Sequence, residues 1–316
     1  MLKKIKIGIS SCLLGEKVRY DGGHKLDPFL RDTIGRFVEW VPVCPEVECG
    51  LPVPREAMRL TGDPESPGLV TINSGIDHKN IMLRWMKMNV SAPEWTGLCG
   101  HVFKARSPSC GLSGVKLYAP HGTPLGTGPG IFARMFIERF PALPVSDEES
   151  LYKPALRENF IERVSVFKRW LDYLRGGGSR GGLASFHASN KLFILAHAPK
   201  LYGVLEKTLA DAKQYRLDAL HSKYIRTLME GLRLLATVKK NTTVLKHLAG
   251  HLKDRLSPDE KQELRQIIGD YHDGRAPLVV PLTIIRHYVW KYDVGYLKKQ
   301  HYLNPDPAEL MLTSHV

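Results

Sequence analysis

Ile5, Ile7 and Ile9 alternate with Lys4, Lys6 and Gly8, which is the two-residue period of a strand with one apolar face. The spacing predicts a strand over Lys4–Ser10, and the stretch lacks the apolar block and cleavage site of a signal peptide. Further strands are predicted at Val38–Val43, Leu69–Asn73, His101–Ala105, Val115–Tyr118 and Leu143–Val145. Between them, helical spacing is read over Leu26–Phe37, Ile76–Asn89 and Gly130–Phe140; in the second of these Ile81, Met82, Trp85 and Met88 share a face. Strands alternating with helices predict an α/β domain, Rossmann-like, with a largely parallel sheet.

The pattern then changes. Arg157–Leu174 reads as a connecting helix, and the glycine-rich run 176–182 as a flexible linker. Beyond it, Ser189–Leu195, His197–Leu209, Tyr215–Lys239, Thr243–Leu256, Pro258–Gly269 and Leu278–Tyr288 all carry helical apolar spacing. Ser257-Pro258-Asp259-Glu260 has an N-cap, a proline at the first helical position and a capping-box acid. The expected organisation is an α/β domain over 1–146, a connection over 147–185 and an all-α domain over 186–316.

Composition adds charge and cysteine placement. The 316 residues carry a formal net charge of +13, an excess suited to nucleic acid or anionic surfaces. No apolar run approaches the length of a membrane span. A cytoplasmic protein is expected, where thiols stay reduced and the five cysteines form no disulfide framework. Cys12, Cys44, Cys49, Cys99 and Cys110 all precede residue 111, so thiol chemistry belongs to the first domain.

Cys12, Cys44 and Cys110 each follow a predicted strand. Loops at the carboxyl ends of parallel strands converge on one crevice. Three thiolates leave an iron–sulfur centre one ligand short, which suits a soft substrate atom. Taken singly, a cysteine is more often a core residue, and zinc is the metal alternative, although no close cysteine pair is present. Cys49 and Cys99 are weaker candidates. Glu46, two residues from Cys44, suits a general base, or a plain helix-start carboxylate. Ser107 and Ser109 suit ring or water positioning, or ordinary turn chemistry. Arg19-Tyr20-Asp21-Gly22-Gly23 reads as a turn or as a base-binding wall, and Gly126–Gly130 as a loop or a phosphate cradle.

Ile9-Ser10-Ser11-Cys12-Leu13-Leu14-Gly15, Arg19-Tyr20-Asp21-Gly22-Gly23, Pro42-Val43-Cys44-Pro45-Glu46, Gly50-Leu51-Pro52, Pro54-Arg55 and Arg106-Ser107-Pro108-Ser109-Cys110-Gly111 together resemble the thiouracil desulfidase family. The resemblance implies a 4Fe–4S cluster on Cys12, Cys44 and Cys110, whose open iron binds the substrate sulfur. It implies Glu46 and Ser107 as catalytic residues, with Ser11, Arg19, Tyr20, Asp21 and Ser109 around the substrate. Phe186-His187, Lys191-Leu192, Ala196-His197-Ala198-Pro199, Lys239-Lys240, His247-Leu248 and Leu278-Val279-Val280-Pro281-Leu282 resemble the helical domain often fused to it, as in bacterial tRNA 4-thiouridine desulfidases.

Lys239, Lys246 and Lys253 recur every seven residues, as do Arg233, Lys240 and His247, so a continuous helix would carry two adjoining stripes unless Asn241-Thr242-Thr243 breaks it. A solvated face explains such stripes; with the resemblance, Arg233, Lys239, Lys240, Lys246 and Lys253 become a tRNA-docking surface. His187 and His197 suit metal or, better, core hydrogen bonding. The expected reaction is hydrolytic desulfurisation of 4-thiouridine in tRNA: Glu46 activates water, Ser107 positions it or the ring, and hydrosulfide leaves. Free thiouracil as substrate, or a non-catalytic zinc-stabilised nucleic-acid-binding protein, are the alternatives. A homo-oligomer stays open.

Overall fold

The computed structural model describes residues 4–89 and 95–305. Residues 1–3 and 90–94, and 306–316 of the expected helical domain, lie outside the described residues. The chain divides into two compact units, one running to Lys168 and the other from Arg169.

The first unit is an α/β domain. Strands β1 (Ile5–Ser10), β2 (Val38–Val43), β5 (Gly100–Phe103) and β8 (Val145–Asp147) form a fully parallel sheet in the order β2-β1-β5-β8. Ile5, Ile7 and Ile9 are buried, as their alternation predicted, and β1 pairs with β2 from Ile5↔Val38 to Ser10↔Val43. The chain leaves β1 for β2 on one side and returns to β5 on the other. That reversal of strand order opens a crevice at the carboxyl ends of β1 and β5.

A second four-stranded sheet, β4-β3-β6-β7, is mixed: β3 (Met58–Thr61) runs antiparallel to β4 (Gly68–Thr71) and parallel to β6 (Val115–Tyr118), and β7 (Pro124–Gly128) closes the edge. Neither β3 nor β7 follows from local pattern. β7 is short, glycine-rich and exposed, so its pairing comes from β6 and not from its own propensity. Helices α1 (Pro45–Glu48), α2 (Lys79–Asn89), α3 (Ile131–Arg139) and α4 (Glu148–Leu151) complete the domain, and α5 (Pro154–Arg175) contains the boundary between the units. Trp95, Phe103, Phe132 and Phe136 are central to the core. The predicted helix over Leu26–Phe37 is only a wide turn, Phe29–Thr33, and a tight one, Ile34–Arg36.

The second unit is helical: α6 (Arg180–His197), α7 (Pro199–Ala210), α8 (Leu217–Leu232), α9 (Val238–Leu252), α10 (Pro258–His272), α11 (Val279–Lys291) and α12 (Gly295–Lys298). α6 packs against α7, α8 and α9, and α10 and α11 pack against α9. The glycine-rich run divides: Gly176–Gly178 make a turn with positive φ at the last two, and Ser179 caps α6, whose first turn holds Gly181 and Gly182. The single helix expected over Tyr215–Lys239 is two. α8 ends at Leu232, and Thr237 starts α9 by accepting a hydrogen bond from the Lys240 amide. Asn241–Thr243 lie inside α9 and do not break it. Apolar spacing through Leu234 and Leu235 hides the interruption, which is set by the cap. The capping box at Ser257 and Glu260 is present in full.

Candidate active site

The crevice holds a cavity of about 410 Å³. Ser11, Cys12, Arg19, Tyr20, Cys44, Glu46, Ser107 and Cys110 line it, with Ser10, Lys25, Arg55 and Lys104. Cys12 sits in the tight turn after β1, Cys44 is the N-cap of α1 after β2, and Cys110 lies in the loop beyond β5. Three thiols distant in sequence therefore share one wall of space.

That last loop is held by a helix end. The amides of Ile131, Phe132 and Ala133, at the start of α3, donate to the carbonyls of Pro108 and Ser109 at 3.0–3.2 Å. Gly130 makes this approach feasible, since a Cβ there would stand 2.5 Å from the Ser109 carbonyl oxygen. The Gly126–Gly130 segment thus offers no phosphate cradle: its first half is β7, and the helix-start donors are occupied.

Burial pushes the Cys12 thiol up to about 11, with the neighbouring Cys44 adding to the effect while Arg19 and Lys104 oppose it. Burial likewise raises Cys44. Cys110 is raised well above the usual thiol value, by burial first and then by Cys44, Glu46 and Cys12; a side-chain hydrogen bond from Ser10 acts the other way. Cys12 and Cys110 thus each feel the charge of Cys44, and all three thiols line the one cavity. Among the described residues no three His, Cys, Asp or Glu groups gather at the spacing of a single metal ion.

Glu46 is held at both oxygens. Oε1 accepts from the Ser109 hydroxyl at 2.6 Å, and Oε2 accepts from Arg55, whose Nε lies 2.8 Å away and whose Nη2 makes a second contact. Arg55 Nη2 also donates to the Val18 carbonyl, and the Arg55 amide to the Tyr20 carbonyl. Ser109 is fully buried behind Glu46 and does not line the cavity. Ser107 Oγ accepts from the amides of Ser109 and Cys110 at 3.3 and 3.2 Å. With both lone pairs engaged, its hydroxyl proton is what it can offer. Arg19 lies over the Tyr20 ring, 5.3 Å from the centroid. Asp21 is exposed and outside the cavity, where it accepts from the Gly23 amide and pairs with Arg19 at 3.6 Å.

Arg55, Lys104 and Ser10 were not singled out from sequence as site residues. Lys104 pairs with buried Glu148, and Ser10 Oγ accepts from the Lys104 amide. An arginine directly after the proline-rich Pro52-Val53-Pro54 stretch was the available signal for Arg55. Cys49 and Cys99 stand apart: neither lines the cavity, and their sulfurs contact the carbonyls of Glu46 and Gly97.

Residues 7–148 match the model of the 2-thiouracil desulfurase family, and residues 191–307 match a family described as a protein of unknown function, DUF1722. Uncharacterized protein YbgA of Escherichia coli (strain K12) is 32% identical over 137 residues, 43% of this chain and 81% of YbgA. The chain belongs to the family of YbgA, and it joins a 2-thiouracil desulfurase domain to a DUF1722 domain. A solved structure titled as the [4Fe-4S]-dependent thiouracil desulfidase TudS is 31% identical and covers 48% of this chain and 95% of its own, with a TM-score of 0.38.

In the DUF1722 domain, Lys239, Lys246 and Lys253 are exposed at a seven-residue interval along α9 and its C-cap. Lys240 departs from them, because its ammonium donates to the carbonyls of His197 and Leu235 at 2.6 and 3.0 Å. Arg233 precedes α9, so the second expected stripe is not a helix face. His187 and His197 are buried; their Nδ1 atoms pair with the Tyr224 hydroxyl and the Leu234 carbonyl at 3.0 and 2.7 Å. No helix of the described residues is long and apolar enough to cross a membrane.

Proposed function

We propose that this protein is a desulfidase that removes sulfur from a thiolated pyrimidine, with 4-thiouridine in tRNA as the substrate. The observation that carries the reading is the convergence of Cys12, Cys44 and Cys110 with Glu46 and Ser107 on one cavity at the carboxyl ends of parallel strands.

The donor set fits a 4Fe–4S cluster. Three thiols line the cavity, no fourth cysteine among the described residues does, and Arg19 and Lys104 oppose the build-up of charge at Cys12. Bound there by Cys12, Cys44 and Cys110, such a cluster would supply a thiophilic Lewis acid with one open iron. The remaining roles belong to the chain. Tyr20, exposed at the rim with Arg19 over it, offers a stacking face. Ser107 donates its proton to a ring oxygen or nitrogen. Glu46, oriented by Arg55 and Ser109, keeps lone-pair capacity to accept a proton from water as that water attacks the ring carbon. Ser11, buried in the lining, narrows the site. A base within a folded RNA leaves its stack to enter. Lys239, Lys246 and Lys253 would hold RNA phosphates.

The test is anaerobic reconstitution of the full chain, iron and sulfide analysis, and incubation with thiolated tRNA followed by nucleoside analysis. About four irons per chain and conversion of 4-thiouridine to uridine are expected. Iron incorporation without conversion would refute the tRNA substrate. Free thiouracil is the second reading, favoured by a cavity that suits a single ring, and its turnover in the same assay decides between them.

A further inference from the structure

Of the 13 histidines in the chain, only His247 and His251 stand within four residues of each other. That spacing puts both on one face of a helix, and both lie in α9 with exposed side chains. Their Nε2 atoms are 3.2 Å apart. Among the described residues neither ring has another hydrogen bond or an ion pair with a carboxylate. Two neighbours come from other helices. Lys191 of α6 acts on His247, with its ammonium over the Tyr202 ring at 5.2 Å, and the Tyr296 ring of α12 lies 5.7 Å from His251. Desolvation, then His251 and then Lys191, hold the His247 pKa below the usual imidazole value. The neutral ring, which is the form that ligates a metal, is therefore favoured.

An imidazole nitrogen binds zinc at about 2.0–2.1 Å. Two such bonds to atoms 3.2 Å apart enclose an angle of about 100°, close to tetrahedral. Exposed side chains can turn until both lone pairs meet one ion. His251 also lies in the last turn of α9, where the helix dipole favours a cation. Imidazole suits zinc, copper and nickel, whereas magnesium prefers oxygen. We propose that His247 and His251 clasp one divalent zinc, nickel or copper ion on the surface of the DUF1722 domain, with water completing its coordination. Two protein ligands make this an exchangeable site, unlike a four-ligand structural zinc centre. It lies within the helical unit and does not rest on the desulfidase reading.

Titration of the full chain with Ni²⁺ by calorimetry, together with melting temperatures at rising Ni²⁺, tests this. One ion per chain should bind through the pair and raise Tm. His247→Ala and His251→Ala should each weaken that binding by about tenfold or more and abolish the rise in Tm. His287→Ala, at an exposed histidine on α11, should change neither. Thiols also take up nickel, but their share would persist in both α9 variants, so the difference between proteins reports the pair alone. Alanine at two exposed helix positions keeps the fold, which metal-free melting temperatures verify. Mg²⁺ at the same concentrations should leave Tm unmoved. Nickel affinity that is unchanged in both α9 variants, or that falls in only one of them, overturns the site and leaves a simple N–H···N hydrogen bond between the rings. An equal rise in Tm with Mg²⁺ overturns it as well.

Discussion

The Ser109 hydroxyl donates to Glu46 Oε1 at 2.6 Å across sixty-three residues of chain. This bond joins two of the three thiol-bearing loops, since Ser109 adjoins Cys110 and Glu46 lies two residues from Cys44. Arg55 holds the other carboxylate oxygen from the opposite side, and both side chains of the pair are largely buried. The acid is thereby aimed before any ligand arrives.

Removing the acid and removing its support should both cost activity and stability. Glu46→Gln should lower kcat by about 10²–10⁴ and also destabilise the fold, because its one amide oxygen cannot accept from both Ser109 and Arg55 and the buried guanidinium loses its carboxylate. Arg55→Ala leaves a buried carboxylate without its partner and should cost about 3–5 kcal/mol of stability as well as activity. Urea denaturation beside steady-state kinetics checks both. Wild-type kcat in Glu46→Gln would remove this residue from the mechanism.

The cysteines separate into two groups. Cys12→Ser, Cys44→Ser and Cys110→Ser should each lower the iron retained after anaerobic reconstitution, whereas Cys49→Ala and Cys99→Ala should retain it and lose only about 1–2 kcal/mol from their packed positions. Iron and sulfide assays read the result. A full complement of iron in any of the first three would break the proposed ligand set, and stoichiometric zinc in place of iron would favour a structural metal instead.

Gly130→Ala should perturb the Cys110 loop without touching the cavity lining, since the new Cβ would meet the Ser109 and Pro108 carbonyls at 2.5 and 2.7 Å. A loss of about 1–3 kcal/mol, the usual scale for overpacking, is expected together with reduced iron retention. Thermal unfolding and iron analysis on the same preparation measure it.

His101 predicts an acid sensitivity. Burial alone lowers its pKa from 6.5 to about 3, and neither ring nitrogen has a hydrogen-bond partner. The unfolded chain therefore binds a proton that the folded chain refuses. The stability from keeping this imidazole neutral is fully present above pH 6.5 and is lost as pH falls from there towards 3, about 2 kcal/mol by pH 5. His101→Leu should flatten that part of the pH profile in urea titrations. An unchanged slope would show that the ring gains a proton or a water in place.

Charge reversal at Lys239, Lys246 and Lys253 should weaken binding of the full chain to tRNA and reduce the slope of log K against log salt by about 2–3. Lys240→Glu should instead destabilise the fold, because its ammonium caps the carbonyls of His197 and Leu235. A salt titration of binding together with melting temperatures distinguishes the two. Unaltered tRNA binding in the triple variant would show that the α9 face takes no part.

The strand of alternating isoleucines, the Ser257 capping box and the confinement of cysteine to the first half were all determined by local sequence, because period, caps and residue chemistry act over a few neighbours. Which cysteines meet was not. Cys49 is as near to Glu46 in sequence as Cys44 almost is, yet it turns into the core, because only Cys44 stands at the strand end where the parallel sheet opens. The clamp of Arg55 and Ser109 on Glu46, the seating of the Cys110 loop on the start of α3, and the pairing of Lys104 with Glu148 were decided by tertiary structure alone. Such contacts depend on which strand ends lie side by side, and strand order is set by the long-range packing of the whole domain, which no short window of residues encodes.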